Sequence, residues 1–186
     1  MNLPRHNACQ GQFRGHNLRR KKLALVAQFG DAHGVKKSAG ILMYRRVDNE
    51  LQVLLVHPGG PLWAGKDAGV WTIPKGEFEH EDALAAARRE FEEEIGMPVD
   101  GDFVALVPCT QKSGKVVHAF AVEGDLDVHR VNSNTFEMEW PPRSGRKREF
   151  PEVDRAEWLS LERAAEKINP AQRAFLLELV QKLGKV

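Results

Sequence analysis

Lys75 to Met97 reads KGEFEHEDALAAARREFEEEIGM, and this stretch decides the fold. Asp82 to Ile95 predicts a helix: acidic residues open it, Gly96 stands just past its end, and Pro98 follows. Leu84, Ala87, Phe91 and Ile95 recur at three- and four-residue steps, which gives the helix one apolar stripe to bury. Glu90, Glu93 and Glu94 stand at i, i+3 and i+4, so three carboxylates share one face. Like charges so placed weaken an isolated helix by a few tenths of a kcal/mol, roughly, per pair. A divalent cation reverses that sign, because converging hard oxygen ligands are what Mg²⁺ or Mn²⁺ takes, with water and phosphate oxygens completing the shell. Without such an ion, an acidic run is ordinarily a solvated helix face.

On either side of this helix the pattern is that of strands. Ser38 to Val47 (SAGILMYRRV) and Leu51 to His57 (LQVLLVH) are aliphatic runs separated by Asp48-Asn49-Glu50, a β-hairpin signature. A Gly/Pro-rich loop from Pro58 to Gly69 leads to a short strand at Val70 to Ile73, stopped by Pro74. Further strands are expected at Phe103 to Gln111, Val116 to Val122, Thr135 to Trp140 and Arg155 to Leu159. Helices are expected at Leu161 to Ile168 and at Ala171 to Leu183, the second opened by Pro170.

Arg89 to Met97, REFEEEIGM, fits every position of R-E-U-x-E-E-x-G-U, where U is aliphatic or aromatic. That is the closing half of the Nudix box, whose full form is G-x5-E-x7-R-E-U-x-E-E-x-G-U. Glu81 stands at the required distance before Arg89, whereas only four residues separate Gly76 from Glu81, one fewer than the pattern has. Together with WTIPKGE (Trp71 to Glu77), FEMEWPPRSG (Phe136 to Gly145) and FPEVDRAEWLSLERA (Phe150 to Ala164), the chain from Lys36 to about Val180 resembles a bacterial Nudix subgroup of nucleotide pyrophosphohydrolases. The resemblance implies an α/β/α sandwich with a mixed sheet and a loop, helix, loop unit for the box. It also implies hydrolysis of a nucleoside diphosphate linked to another group, with a nucleoside triphosphate or a dinucleoside polyphosphate favoured. Carried over residue by residue, it makes Glu90, Glu93 and Glu94 ligands of Mg²⁺ or Mn²⁺, with the Gly76 carbonyl as a further one. Arg89 and Glu81 become the ion pair that orients the ligand helix. The general base differs among family members, so the box leaves it open among its glutamates.

Outside the box, Glu137 and Glu139 alternate with Phe136, Met138 and Trp140, which places both carboxylates on one side of a strand. They are candidates for the base or a further metal ligand, against the plainer reading of a strand with one wet face. Lys75 is a candidate phosphate contact, as are Arg143 and Arg146 in the basic cluster Arg143, Arg146, Lys147, Arg148, read as a loop. Trp63, Trp71 and Trp140 are candidate stacking planes, although a tryptophan in a strand is more often core. His57 and His118 have no partner at metal-ligand spacing and read as satisfied histidines.

The whole chain has 186 residues, a net charge of +1 and 42% hydrophobic residues, the make-up of an ordinary globular protein. The charge is segregated: residues 1–37 carry +7 and residues 38–186 carry −6. Residues 1–34 are therefore read as a basic extension and 35–186 as the Nudix domain. The extension has no serine and no clear amphipathic helix, unlike a transit peptide; its charge suits RNA or another anionic surface, against the plainer reading of a solubilising tail. Cys9 and Cys109 form no disulfide framework or metal spacing, and no apolar run approaches the roughly 20 residues of a membrane span, so a cytoplasmic setting is expected. Two rival functions stand beside hydrolysis of a small nucleotide: 5′-end RNA pyrophosphohydrolysis, favoured by the extension, and a nucleotide-sensing module without turnover, disfavoured by retention of all three glutamates.

Overall fold

The computed structural model describes residues 35–184; the basic extension at 1–34, with Cys9, lies outside the described residues. Strands β1 (Lys37–Val47) and β2 (Glu50–Pro58) form the expected hairpin. Asp48 and Asn49 both take positive φ, 49° and 68°, the geometry that matches the twist of two antiparallel strands, so Glu50 joins the strand rather than the turn. Strand β3 (Lys75–Phe78) pairs antiparallel with Lys37–Gly40 of β1, on the edge that β2 leaves open beyond Tyr44. This part of the box was expected as loop. β4 (Val104–Thr110) and β5 (Val116–Glu123) pair antiparallel, and β5 runs parallel to β1. β8 (Val153–Ser160) closes the other side against β2, giving the mixed order β4-β5-β1-β2-β8.

Helix α1 (Ala83–Ile95) covers one face of this sheet, and α2 (Leu161–Lys167) and α3 (Arg173–Leu183) cover the other. The period of two along each strand sorts the side chains: Ala39, Ile41, Met43, Leu54 and Val56 meet Ala86, Ala87, Phe91 and Ile95 of α1. Leu42, Tyr44, Val53 and Leu55 meet Ile168, Phe175, Leu176 and Leu179 on the opposite face. With both faces buried, β1 and β2 read as continuous apolar runs, as the sequence shows. The result is an α/β/α sandwich with a mixed sheet.

The outer strand β4 carries a register shift between Leu106 and Cys109, and its Val107 N–H donates to Glu178 of α3 at 2.8 Å. Residues Val70 to Ile73 form single bridges, Trp71 to Ile168 and Thr72 to Val56, instead of a strand. β6 (Thr135–Glu139) pairs with β7 (Lys147–Pro151) in a two-stranded sheet of its own. The basic cluster is thus corrected: Lys147 and Arg148 lie on a strand, and only Arg143 and Arg146 lie in the connecting turn. No helix among the described residues is long and apolar enough to cross a membrane.

Candidate active site

The site is built on α1, whose ends are set locally. The Asp82 side chain accepts from the N–H groups of Leu84 (2.9 Å) and Ala85 (3.1 Å). Gly96, at φ 78°, returns its N–H to the Glu92 carbonyl. Between these caps the helix turns Glu90 and Glu94 toward the start of β3. There Gly76, paired with Ala39, lies directly against the Glu90 carboxylate: a Cβ built on Gly76 would stand 1.7 Å from Glu90 Oε2. The Lys75 N–H donates to Glu94 Oε2 at 2.9 Å. β3 ends at Phe78 and α1 starts at Ala83, and with this short connection the Gly76 and Lys75 contacts and the Arg89–Glu81 pair are all made.

Arg89 ties the carboxylates together. Its Nη2 meets Glu81 Oε1 at 2.6 Å, while Nη1 meets Glu90 Oε1 at 2.7 Å and Glu93 Oε1 at 3.2 Å. These contacts, with Glu81 the strongest, raise the Arg89 pKa further, so its positive charge is permanent. Among the described residues no three acidic, imidazole or thiol groups already converge as a metal centre. The reason is visible: Arg89 draws Glu90 and Glu93 one way and the Lys75 N–H draws Glu94 another. The donor set nevertheless suits a hard divalent cation, with three carboxylates on neighbouring turns of one helix and one of them, Glu90, against a glycine whose missing Cβ lets the backbone come close.

Burial pushes the Glu90 carboxyl above its ordinary range against the opposing Arg89 charge, and pushes Glu94 up to about 7. In both, the negative charge of Glu152 adds to the rise. Glu152 is the residue that sequence reasoning missed. It joins β7 to β8 and is held by backbone: its N–H donates to the Asn134 carbonyl (2.9 Å), and Asn134 N–H donates to the Glu93 carbonyl (3.0 Å). A relay through Asn134 thus fastens Glu152 to the end of α1. Nothing in FPEVDRAEW separates Glu152 from its acidic neighbours, because that relay is a long-range contact.

The other candidates divide. Lys75 is at the site, where its charge opposes the rise at Glu94. Glu137 and Glu139 find their partners inside the β6–β7 hairpin, Lys147 Nζ at 3.4 Å and Gly145 N–H at 2.8 Å. Arg143 and Arg146 are exposed in the hairpin turn. Trp71 is fully buried core and His57 is buried and satisfied, with Nε2 donating to the Lys66 carbonyl (2.8 Å) and Nδ1 beside Asp154 (2.6 Å). Trp63 and Trp140 keep part of their rings accessible.

The raised Glu94 has a consequence for stability. Its folded pKa lies above the ordinary carboxylate value, so between about 4.5 and about 7 the folded state holds more proton than the unfolded one. Stability conferred by Glu94 is full at the acid end of that window and lost as pH rises through it. The thermal midpoint of the wild type in EDTA, measured from pH 5 to pH 8 relative to Glu94→Gln, should therefore fall. A flat difference would show that Glu94 titrates as an ordinary carboxylate.

A family model described as the NUDIX domain matches residues 35–179. The chain belongs to the Nudix family. Among solved structures, a C. elegans Ap4A hydrolase in a binary complex is 21% identical with a TM-score of 0.57, over 80% of this chain and 99% of that one. The NUDIX domain of Shewanella oneidensis NrtR complexed with ADP ribose is 15% identical, with a TM-score of 0.55 over 87% and 97%. A mutT/nudix family protein from Listeria innocua is also 15% identical, with a TM-score of 0.53 over 81% and 94%. At these identities the likeness is one of fold. No curated protein matches the sequence. Membership of the Nudix family makes the chain a hydrolase acting on phosphoanhydrides of nucleotide derivatives.

Proposed function

We propose that this Nudix domain hydrolyses a nucleoside diphosphate linked to a further group, a nucleoside triphosphate or a dinucleoside polyphosphate, with Mg²⁺ or Mn²⁺ as cofactor. The observation that carries the reading is the seating of the box carboxylates at the start of β3, with Glu90 against Gly76 and Glu94 accepting from the Lys75 N–H, while Arg89 holds Glu90 and Glu93. Glu90, Glu93, Glu94 and the Gly76 carbonyl would hold the ion. When bound, it neutralises phosphate oxygens and acidifies the attacking water. Arg89 and Glu81 hold the ligand carboxylates in position, and Lys75 offers a point charge to a phosphate. Glu152 lies outside the helical ligand face, its charge acts on both Glu90 and Glu94, and in this reading it takes the water's proton as general base.

The test is a product screen over nucleoside triphosphates, dinucleoside polyphosphates, nucleotide sugars and triphosphorylated RNA with each metal and with EDTA. Turnover of no nucleotide, or turnover indifferent to EDTA, would overturn the reading. Preference for the RNA would favour the 5′-end reading, and nucleotide binding without turnover the sensing module. For the base, Glu152→Gln should lose on the order of 10²-fold in kcat, with smaller losses in Glu137→Gln and Glu139→Gln. The reverse ranking would return the role to the hairpin strand.

A further inference from the structure

The hairpin sorts its side chains by chemistry. Its register pairs Phe136 with Phe150 and Met138 with Arg148, and the Trp140 N–H to the Arg146 carbonyl (2.9 Å) extends the ladder by one pair. Directly opposed residues share a face, so Phe136, Met138, Trp140, Arg146 and Arg148 lie on one side. Glu137, Glu139 and Glu149 lie on the other, occupied with Lys147, the Gly145 N–H and the Thr135 hydroxyl. Among the described residues Arg146 and Arg148 have no carboxylate partner, and both are exposed.

The aromatic and basic face is joined to the carboxylate site. At its foot, Phe136 packs on Gly60, where a Cβ would stand 3.0 Å from the ring, and the Gly59 N–H donates to the Glu152 carbonyl at 2.8 Å. Arg148 is four residues before Glu152 and Arg146 six, distances of about 13 Å and about 20 Å along a strand. A single phosphoanhydride at Glu90 and Glu94 does not reach so far, whereas an anionic chain continuing past the cleaved bond does.

We propose that this face binds the part of the substrate remote from the cleaved bond, and that this part is itself a nucleotide. Trp140 provides a plane on which its ring stacks, and Arg146 and Arg148 meet its phosphates. The acidic opposite face repels the same chain, which fixes the side it follows. This assignment rests on the hydrolytic reading above for the position of the cleaved bond, and it makes the hairpin a specificity element rather than part of the chemistry.

The experiment compares diadenosine tetraphosphate, whose far end is a nucleotide, with ADP-ribose, whose far end is a neutral sugar, on the full chain with Mg²⁺. Arg146→Ala/Arg148→Ala should raise KM for diadenosine tetraphosphate by about tenfold or more, and by much less for ADP-ribose, with kcat changed less than KM. Arg146→Lys/Arg148→Lys should recover part of the loss. Calorimetric binding of diadenosine tetraphosphate to Glu94→Gln, with and without the two alanines, supplies a readout independent of turnover. Binding that depends on the arginines in a wild type that hydrolyses nothing would sustain the hairpin site and sink the hydrolytic reading. Equal KM changes for both substrates, no measurable binding, or an effect confined to triphosphorylated RNA would overturn the proposal.

Discussion

Glu94→Gln is expected to lower turnover at saturating Mg²⁺ by on the order of 10²-fold or more while the protein without metal remains folded and becomes more stable at pH 8. Both effects come from one charge. Burial already holds the Glu94 carboxyl at about 7, and the negative charges of Glu90 and Glu152 add to the rise. A neutral amide keeps an oxygen for the Lys75 N–H and removes the repulsion, a gain on the order of 1 kcal/mol or more at a pH where the native carboxylate is ionised. It also removes one anionic oxygen from the cation's shell. Steady-state kinetics and denaturant unfolding in EDTA check the two halves. Wild-type turnover, or a loss of stability at pH 8, would remove Glu94 from the ligand set.

Gly76→Ala is expected to be nearly as damaging to catalysis for a steric reason. The added methyl would sit 1.7 Å from Glu90 Oε2 and 1.9 Å from Cδ, so the carboxylate must leave its place. The colliding atoms are the end of a jointed side chain, so the fold gives way cheaply, at about 1 kcal/mol, the low end of overpacking costs. The metal geometry gives way expensively, with kcat falling by on the order of 10²-fold. The signature is a large kinetic loss beside a small shift in the unfolding midpoint, with a higher Mg²⁺ requirement. Normal kinetics would mean that Glu90 can serve from another rotamer.

How far the sequence reveals this site depends on the range of each interaction. Helix α1 and its carboxylate face are legible because cap, stripe and ligand spacing all lie within sixteen consecutive residues, 81–96. The β1–β2 hairpin is legible for the same reason, although its turn is one residue tighter than the Asp48-Asn49-Glu50 stretch read from the sequence. β3 is not, because KGEF has no β-branched residue and becomes a strand only where β2 leaves an edge of β1 open. Arg89 shows both cases: its pairing with Glu81 follows from the box, whereas its hold on Glu90 and Glu93 appears only in three dimensions. Glu152 is the extreme case, placed by an Asn134 relay that joins segments about sixty residues apart in the chain, a separation no local pattern encodes.

The outer strand of the sheet carries its own defence against misassembly. β4 is the kind of border that templates addition of a foreign strand during folding or crowding. Here Pro108 has no amide proton to offer, the Val107 proton is already given to Glu178, and the one extra residue that β4 takes up after Leu106 breaks the straight ladder an incoming strand would need. Val104 and Val107 can therefore stay apolar and exposed without making the edge adhesive through its backbone. Glu178 acts as a gatekeeper for colloidal behaviour, and its loss would be felt first in refolding yield at high protein concentration, before any change in the equilibrium stability of the monomer.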